Sequence, residues 1–289
     1  MDGAVTRRRV VWCGLAAALA TARNAARAGA PDAFRLGLTP VFLDNDAEVV
    51  GRLRAALGER MGGPVDLVQR RSYQEVTGLL LEGAIDAAWL CGYPYLQHED
   101  ALALIGAPVW RGRPLYRSYL IAAAGDPAKG LADLAGGSHA FSDPDSNSGW
   151  LVTASDLARM GARPDAFFAR AIFTWSHRNV ARAVASGLTR SGSVDGYVWE
   201  ALAAAEPALA SRTRVIAQSE ELGFPPFVAR RDRIDRPEIA AFREALLSLA
   251  GTEAGRAALA LLHLDGVAEG DRALYDGIAA RMRDVAGLR

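Results

Sequence analysis

The chain has 289 residues, 51% of them hydrophobic and 23% charged, which is enough to bury one or two substantial cores. Its 33 basic and 33 acidic residues cancel, and outside the first 30 positions no basic block stands out, which argues against a nucleic-acid partner. Only two cysteines occur, Cys13 and Cys91, so a framework of several disulfides is excluded.

Residues 1–30 read as an export signal. Arg7, Arg8 and Arg9 precede an apolar run from Val10 to Ala20, and small residues follow at Ala28-Gly29-Ala30. The paired arginines are similar to a twin-arginine leader. The apolar run is too short to span a bilayer, and no later run reaches the length a membrane helix needs. A mature protein that is exported, periplasmic and not membrane-embedded is expected, with Cys91 as its one thiol.

Phe34 to Thr39 alternates as a first strand, and residues 46–60 place Val49, Leu53, Ala56 and Leu57 on one helical face. Gly62-Gly63-Pro64 breaks that helix before a second strand at 65–68. Ser72 and Glu75 form a capping box for a helix carrying Val76, Leu79 and Leu80, and 84–89 is a third strand. The alternation predicts an α/β unit with a largely parallel sheet. Functional groups in such a sheet gather at the carboxyl ends of the strands, here Thr39, residues 70–73 and residues 91–95.

Apolar runs at 102–110 and 116–124 lead to a second α/β unit. It takes in a strand before Ser142, a helix over 148–160, a strand at 171–175, a helix over 178–186 and a strand ending near Val198. Residues 215–217 and 227–229 look extended, and the tail from Pro237 is helical. The sum is two α/β lobes joined by two extended crossings, the first built from residues 31–119 and 216–289 and the second from 120–215. An unanchored, exported pair of lobes suits a clamshell that closes on a ligand.

The organising stretch runs from His139 to Trp150. Asp143-Pro144 turns the chain out of a strand, and Ser146, Asn147 and Ser148 lie where the next helix begins. Short polar side chains over the free N–H groups of a helix start read either as an N-cap or as an anion cradle. His177 opens the following helix in the same way, so two neighbouring helix starts converge on one anion more readily than either alone. Asp195 ends a strand, either to cap a helix or to meet a ligand amine or a protonated oxyanion's O–H. Tyr73 and Tyr93 bring phenol tips to strand ends, as clefts and half-buried surfaces both do.

Catalytic patterns are missing. The chain has no Gly-x-Ser-x-Gly, His-Glu-x-x-His or Walker sequence, and its four histidines share no metal-ligand spacing. Neither an enzyme nor a cofactor or metal is expected.

Ser142-Asp143-Pro144-Asp145-Ser146-Asn147-Ser148-Gly149 resembles the D-P-x-S-T-S-G anion loop of PhnD-type phosphate/phosphite/phosphonate-binding periplasmic proteins. Ser176-His177 followed by Ala183-Val184-Ala185-Ser186-Gly187 and Val194-Asp195 is similar to a second family stretch. A third is matched by Tyr73-Gln74-Glu75-Val76 with Gly83-Ala84-Ile85-Asp86-Ala87-Ala88-Trp89. The resemblance runs from about residue 34 to 236. It implies a class II clamshell that captures a phosphorus-type oxyanion for an ABC transporter permease. Ser146, Ser148 and His177 would hold the oxygens, and Asp195 would meet a substrate amine. Asn147 stands where the family loop has threonine. Cys91 opens an alternative, because arsenite-sensing relatives of this fold use a cleft cysteine and signal to a sensor kinase. Against it stands the commoner role of a lone thiol, a small buried hydrophobe.

Overall fold

The structure is a computed structural model that describes residues 33–40 and 47–287. The export signal at 1–30, Cys13 and the expected start of the first helix at Asp46 lie outside the described residues. Apart from Ala33, the described residues fall in one compact unit that begins at Phe34.

The first sheet grows from β1 (Phe34–Leu38), which pairs in parallel with β2 (Val65–Gln69) on one side and β3 (Ala87–Trp89) on the other. Helix α1 (Ala47–Met61) connects β1 to β2, and α2 (Tyr73–Leu81) connects β2 to β3. The capping box at the start of α2 is present in full. Ser72 Oγ accepts from Glu75 N–H at 3.2 Å, and the Glu75 carboxylate accepts from Ser72 N–H at 3.2 Å. After the short helix α3 (Gly92–Gln97), β4 (Leu102–Val109) joins the same sheet.

The remaining strands of this sheet come from far along the chain. β12 (Phe227–Arg230) inserts antiparallel between β3 and β4, and β13 (Gly266–Glu269) covers the far edge of β4. The order is β13-β4-β12-β3-β1-β2, so the sheet is mixed rather than largely parallel. A parallel unit read from consecutive segments has no means of revealing a strand that returns later. The sheet buries Leu36 and Leu38 with Leu53, Val76, Leu80, Phe242 and Leu246 in one core. Those last two sit on α7 (Pro237–Leu247).

The chain leaves the first sheet through β5 (Leu115–Tyr116) and returns through β11 (Leu222–Gly223), and these two crossings pair antiparallel. Between them lies a second mixed sheet of order β10-β6-β9-β7-β8. Its strands are β6 (Ser118–Ala123), β7 (Ser138–Phe141), β8 (Arg170–Phe173), β9 (Ser191–Asp195) and β10 (Thr213–Gln218). Both β8 and β9 run parallel to β7. Strand alternation sends Ala140 to a core with Val180 and Val184, and Phe141 to a core on the other face with Leu157 and Phe168.

Helix α4 (Val152–Arg159) follows β7, α5 (His177–Ala185) follows β8, and α6 (Gly196–Ala205) follows β9. Val198, expected near a strand end, therefore sits in the first turn of α6. The tail adds α7, α8 (Glu253–Leu261) and α9 (Asp276–Ala286). From α9, the buried Arg281 reaches the Glu220 carboxylate at 2.6 and 2.8 Å and Asp156 of α4 at 2.8 Å. The last helix is thereby tied to the second sheet's helices and to the segment preceding β11. No helix of the described residues is long and apolar enough to cross a membrane.

Candidate functional site

The carboxyl ends of the parallel strands meet. Tyr73 follows β2, Cys91 follows β3, Ser146 to Ser148 follow β7, His177 follows β8, and Asp195 ends β9. This is where an α/β sheet exposes free N–H groups and side chains to a crevice.

The loop after β7 begins its helix with an unusually wide turn. Leu151 N–H bonds the carbonyl of Ser146 at 3.0 Å, five residues back, and Val152 N–H bonds that of Asn147 in the same way. Such turns are rare and concentrate at functional positions. Ser146 Oγ accepts from Gly149 N–H at 3.0 Å, which leaves its own hydrogen free to donate outward. Gly149 has to be glycine. A Cβ there would lie 1.8 Å from Ser142 Oγ and 2.9 Å from the His177 ring.

His177 is held in one tautomer. Its Nδ1 accepts the backbone N–H of Asp195 at 3.0 Å, so the ring's proton belongs on Nε2. Nε2 faces the Tyr73 hydroxyl at 3.3 Å and Ser146 Oγ at 3.5 Å. Burial pulls the imidazole pKa down to about 3, so the ring is a neutral N–H donor at physiological pH.

Asn147 donates two further hydrogen bonds. Its N–H points to Cys91 Sγ at 3.3 Å, and its Nδ2 donates to the Tyr116 hydroxyl at 2.8 Å. Its Oδ1 is buried with no hydrogen-bond partner among the described residues. Ser148 gives its carbonyl to the Ser118 hydroxyl at 2.7 Å. Burial pushes the Cys91 thiol up to about 12, and the charges of Asp195 and Asp143 add to the shift, so it is a thiol rather than a thiolate at neutral pH.

Asp195 caps α6 by accepting from Val198 N–H at 3.2 Å. Burial pushes its carboxyl up to about 7, against the opposing effect of the Val198 and Tyr197 amides. Of the two roles read from the sequence, the structure shows the helix cap.

Of the residues singled out from sequence, Tyr73, Cys91, Ser146, Asn147, Ser148, His177 and Asp195 come together, all no more than 3% exposed. Two do not join their hydrogen bonds. Thr39 Oγ1 donates to the Trp89 carbonyl at 3.1 Å, tying the ends of β1 and β3 together. Tyr93 is half-buried and stacks nearly parallel on Trp150, with ring centroids 6.5 Å apart. Arg111 and Arg113 are paired with Glu200 and Glu221, away from the cluster.

Sequence reading missed Tyr116 and undervalued Asp143. Tyr116 sits on the crossing strand β5, and nothing in an apolar run marks it as the partner of Asn147. Asp143 looks like an ordinary turn residue. Its carboxylate in fact accepts from Tyr73 N–H at 3.1 Å and from Asp145 N–H at 2.8 Å, so it caps α2 from the other side of the crevice. An Asp before Pro was the available signal, and it carries no information about a partner 70 residues away.

The chain matches the family model described as the periplasmic substrate-binding protein of phosphonate ABC transporters over residues 36–275. The chain belongs to this family. That family is one of substrate-binding proteins of transporters rather than of enzymes. The phosphate-import protein PhnD of Mycolicibacterium smegmatis is 29% identical over 172 residues, which is 55% of this chain. That match spans about half (54%) of the curated relative.

Solved structures share the two-lobed clamshell fold. A binding protein component of an ABC phosphonate transporter from Pseudomonas aeruginosa superposes with a TM-score of 0.80 at 20% identity, covering 87% of each chain. PhnD1 of Prochlorococcus marinus, solved with methylphosphonate, gives a TM-score of 0.76 at 18% identity over 89% of this chain and 99% of its own.

Proposed function

We propose that this member of the family captures a small phosphorus oxyanion, phosphonate, phosphite or phosphate, between its lobes and delivers it to an ABC transporter permease. The convergence of Tyr73 Oη and Ser146 Oγ on the Nε2–H of a neutral His177, across the crevice and beside a helix start, carries this reading. Each of these groups offers a hydrogen to an anionic oxygen. A hydrogen bond to a charged group contributes about 1.5–3 kcal/mol, and a helix N-terminus adds roughly 0.3–1 kcal/mol.

The groups are buried, so a ligand reaches them only when the lobes part about the crossings β5 and β11. Closure then removes water and strengthens every contact to the anion. The lobe boundaries proposed from sequence, 31–119 with 216–289 and 120–215, place the hinge near these crossings. Residues 1–30 would send the chain to the periplasm before they are removed.

Transport is preferred to arsenite sensing through a sensor kinase. Soft-metal capture needs a thiolate, whereas burial holds Cys91 as a thiol that accepts the Asn147 N–H.

Calorimetric titration of the mature chain with phosphate, phosphite, methylphosphonate and arsenite tests both readings. Saturable heat with at least one of the first three is expected. No heat and no thermal shift with any of them overturns the oxyanion reading, and tight arsenite binding that Cys91→Ser abolishes would restore the sensing one.

A further inference from the structure

The donors of this site are matched by acceptors that a fully ionised oxyanion has no way to satisfy. Asn147 Oδ1 is wholly buried and unpartnered, while the other end of the same amide is committed to Tyr116 at 2.8 Å. Among the described residues no lysine or arginine hydrogen-bonds to any residue of the cluster. His177 is neutral. The acids that belong to the site, Asp143 and Asp195, are 2% and 1% exposed.

A doubly charged ligand would therefore be brought into a low-dielectric pocket with no countercharge and two carboxylates nearby. That arrangement is strongly unfavourable. A ligand that keeps one hydrogen carries less charge and supplies the donor the amide oxygen lacks.

We propose that the closed site takes its phosphorus oxyanion in the singly protonated form, with the ligand's P–O–H donating to Asn147 Oδ1 and with Asp195 and Asp143 excluding the dianion. The inference rests on the oxyanion reading above and narrows it to one protonation state and to ligands that can hold a proton. The titratable groups near enough to feel the Asp195 charge are the phenols of Tyr73 from α2, Tyr116 from β5 and Tyr197 from α6 and the Cys91 thiol, and the His177 ring accepts its backbone N–H. None of these is a cation at neutral pH. Asp143 acts on the same Tyr73 and Cys91.

The test is calorimetry of the wild-type chain with methylphosphonate across pH 6 to 9, in paired buffers of different ionisation enthalpy. Above the second ionisation of the ligand, binding should take up one proton and affinity should fall about tenfold per pH unit. At pH 8.5, above the value of about 7 to which Asp195 is raised, methanesulfonate has the same shape but no proton to bring. It should bind at least tenfold more weakly than methylphosphonate.

Asp195→Asn retains a good helix cap and should flatten the pH dependence. Asn147→Thr, whose hydroxyl can donate, should narrow the gap between the two ligands. Binding of methylphosphonate at pH 8.5 with no proton uptake, or equal affinity for methanesulfonate, overturns the inference and leaves the oxyanion reading intact. Absence of binding by every phosphorus oxyanion at every pH removes both.

Discussion

The hydroxyl of Tyr73 lies 3.3 Å from Nε2 of His177, joining the first turn of a helix that packs on one sheet to the first residue of a helix on the other. A second bond runs alongside, from Tyr73 N–H to the Asp143 carboxylate at 3.1 Å. One residue thus closes the crevice with its backbone and lines the site with its side chain.

Tyr73→Phe should separate these roles. The ring and the Asp143 bond remain while the hydroxyl is lost. Binding of the best phosphorus oxyanion should weaken by about 10- to 100-fold, the equivalent of one hydrogen bond to a charged group, with little change in melting temperature. Calorimetry beside thermal unfolding reads both, and an unchanged affinity would mean that the phenol does not touch the ligand.

Gly149→Ala should be severe. The added methyl would sit 1.8 Å from Ser142 Oγ, and both neighbours are buried and cannot swing away. A loss of about 2 kcal/mol or more is expected together with loss of binding. Gly251→Ala is the control, because its Cβ meets nothing within 4 Å, and it should change stability by no more than about 0.5 kcal/mol. Equal melting temperatures for the two variants would count against the close approach at the loop.

Acid stability should depend on a histidine outside the site. His139 is stacked on Phe168 and bonded through Nδ1 to Ser191 Oγ at 2.8 Å and through Nε2 to Ser193 Oγ at 2.9 Å. Burial pulls its pKa down to about 3, whereas the unfolded chain titrates near 6.5. Between those values the unfolded state binds the extra proton, so stability is lost as pH falls from about 6.5 towards 3. Asp195 acts in the opposite sense. Raised to about 7, its contribution is full below the unfolded value near 3.9 and is lost as pH rises through 7. His139→Gln should therefore flatten the fall in melting temperature between pH 6 and 4, and an unaltered slope would refute the assignment.

Arg281→Met should loosen the last helix. Arg281 is 2% exposed and its guanidinium holds Glu220 and Asp156, whose side chains are 49% and 39% exposed. Because the orphaned carboxylates can turn to water, the cost should fall below the 3–5 kcal/mol of a fully buried pair, at about 2 kcal/mol. That corresponds to a drop of roughly 4–8 °C, readable by calorimetric unfolding.

Local chemistry made much of this protein legible from sequence alone. The Ser72–Glu75 capping box, the helix over Ala47–Met61, the strands at Phe34–Leu38 and Val65–Gln69 and the polar helix start at Ser146 depend on spacings of a few residues. Periodicity and capping report those directly. The ordered motifs around Tyr73, Ser146 and His177 were enough to indicate the family.

Contacts made at long range were decided only by the tertiary structure. β12 enters the first sheet between β3 and β4, Tyr116 reaches Asn147 from a crossing strand, and Asp143 caps a helix 70 residues away. The stretch 146–148 shows the division most clearly. Its sequence permits both a cap and an anion cradle, and Ser146 is indeed a cap. What adds the second role is the neutral His177 ring placed beside it by a neighbouring strand, with Tyr73 brought across the crevice. Those placements arise from the burial of two sheets around the crossings, a property that no local pattern encodes.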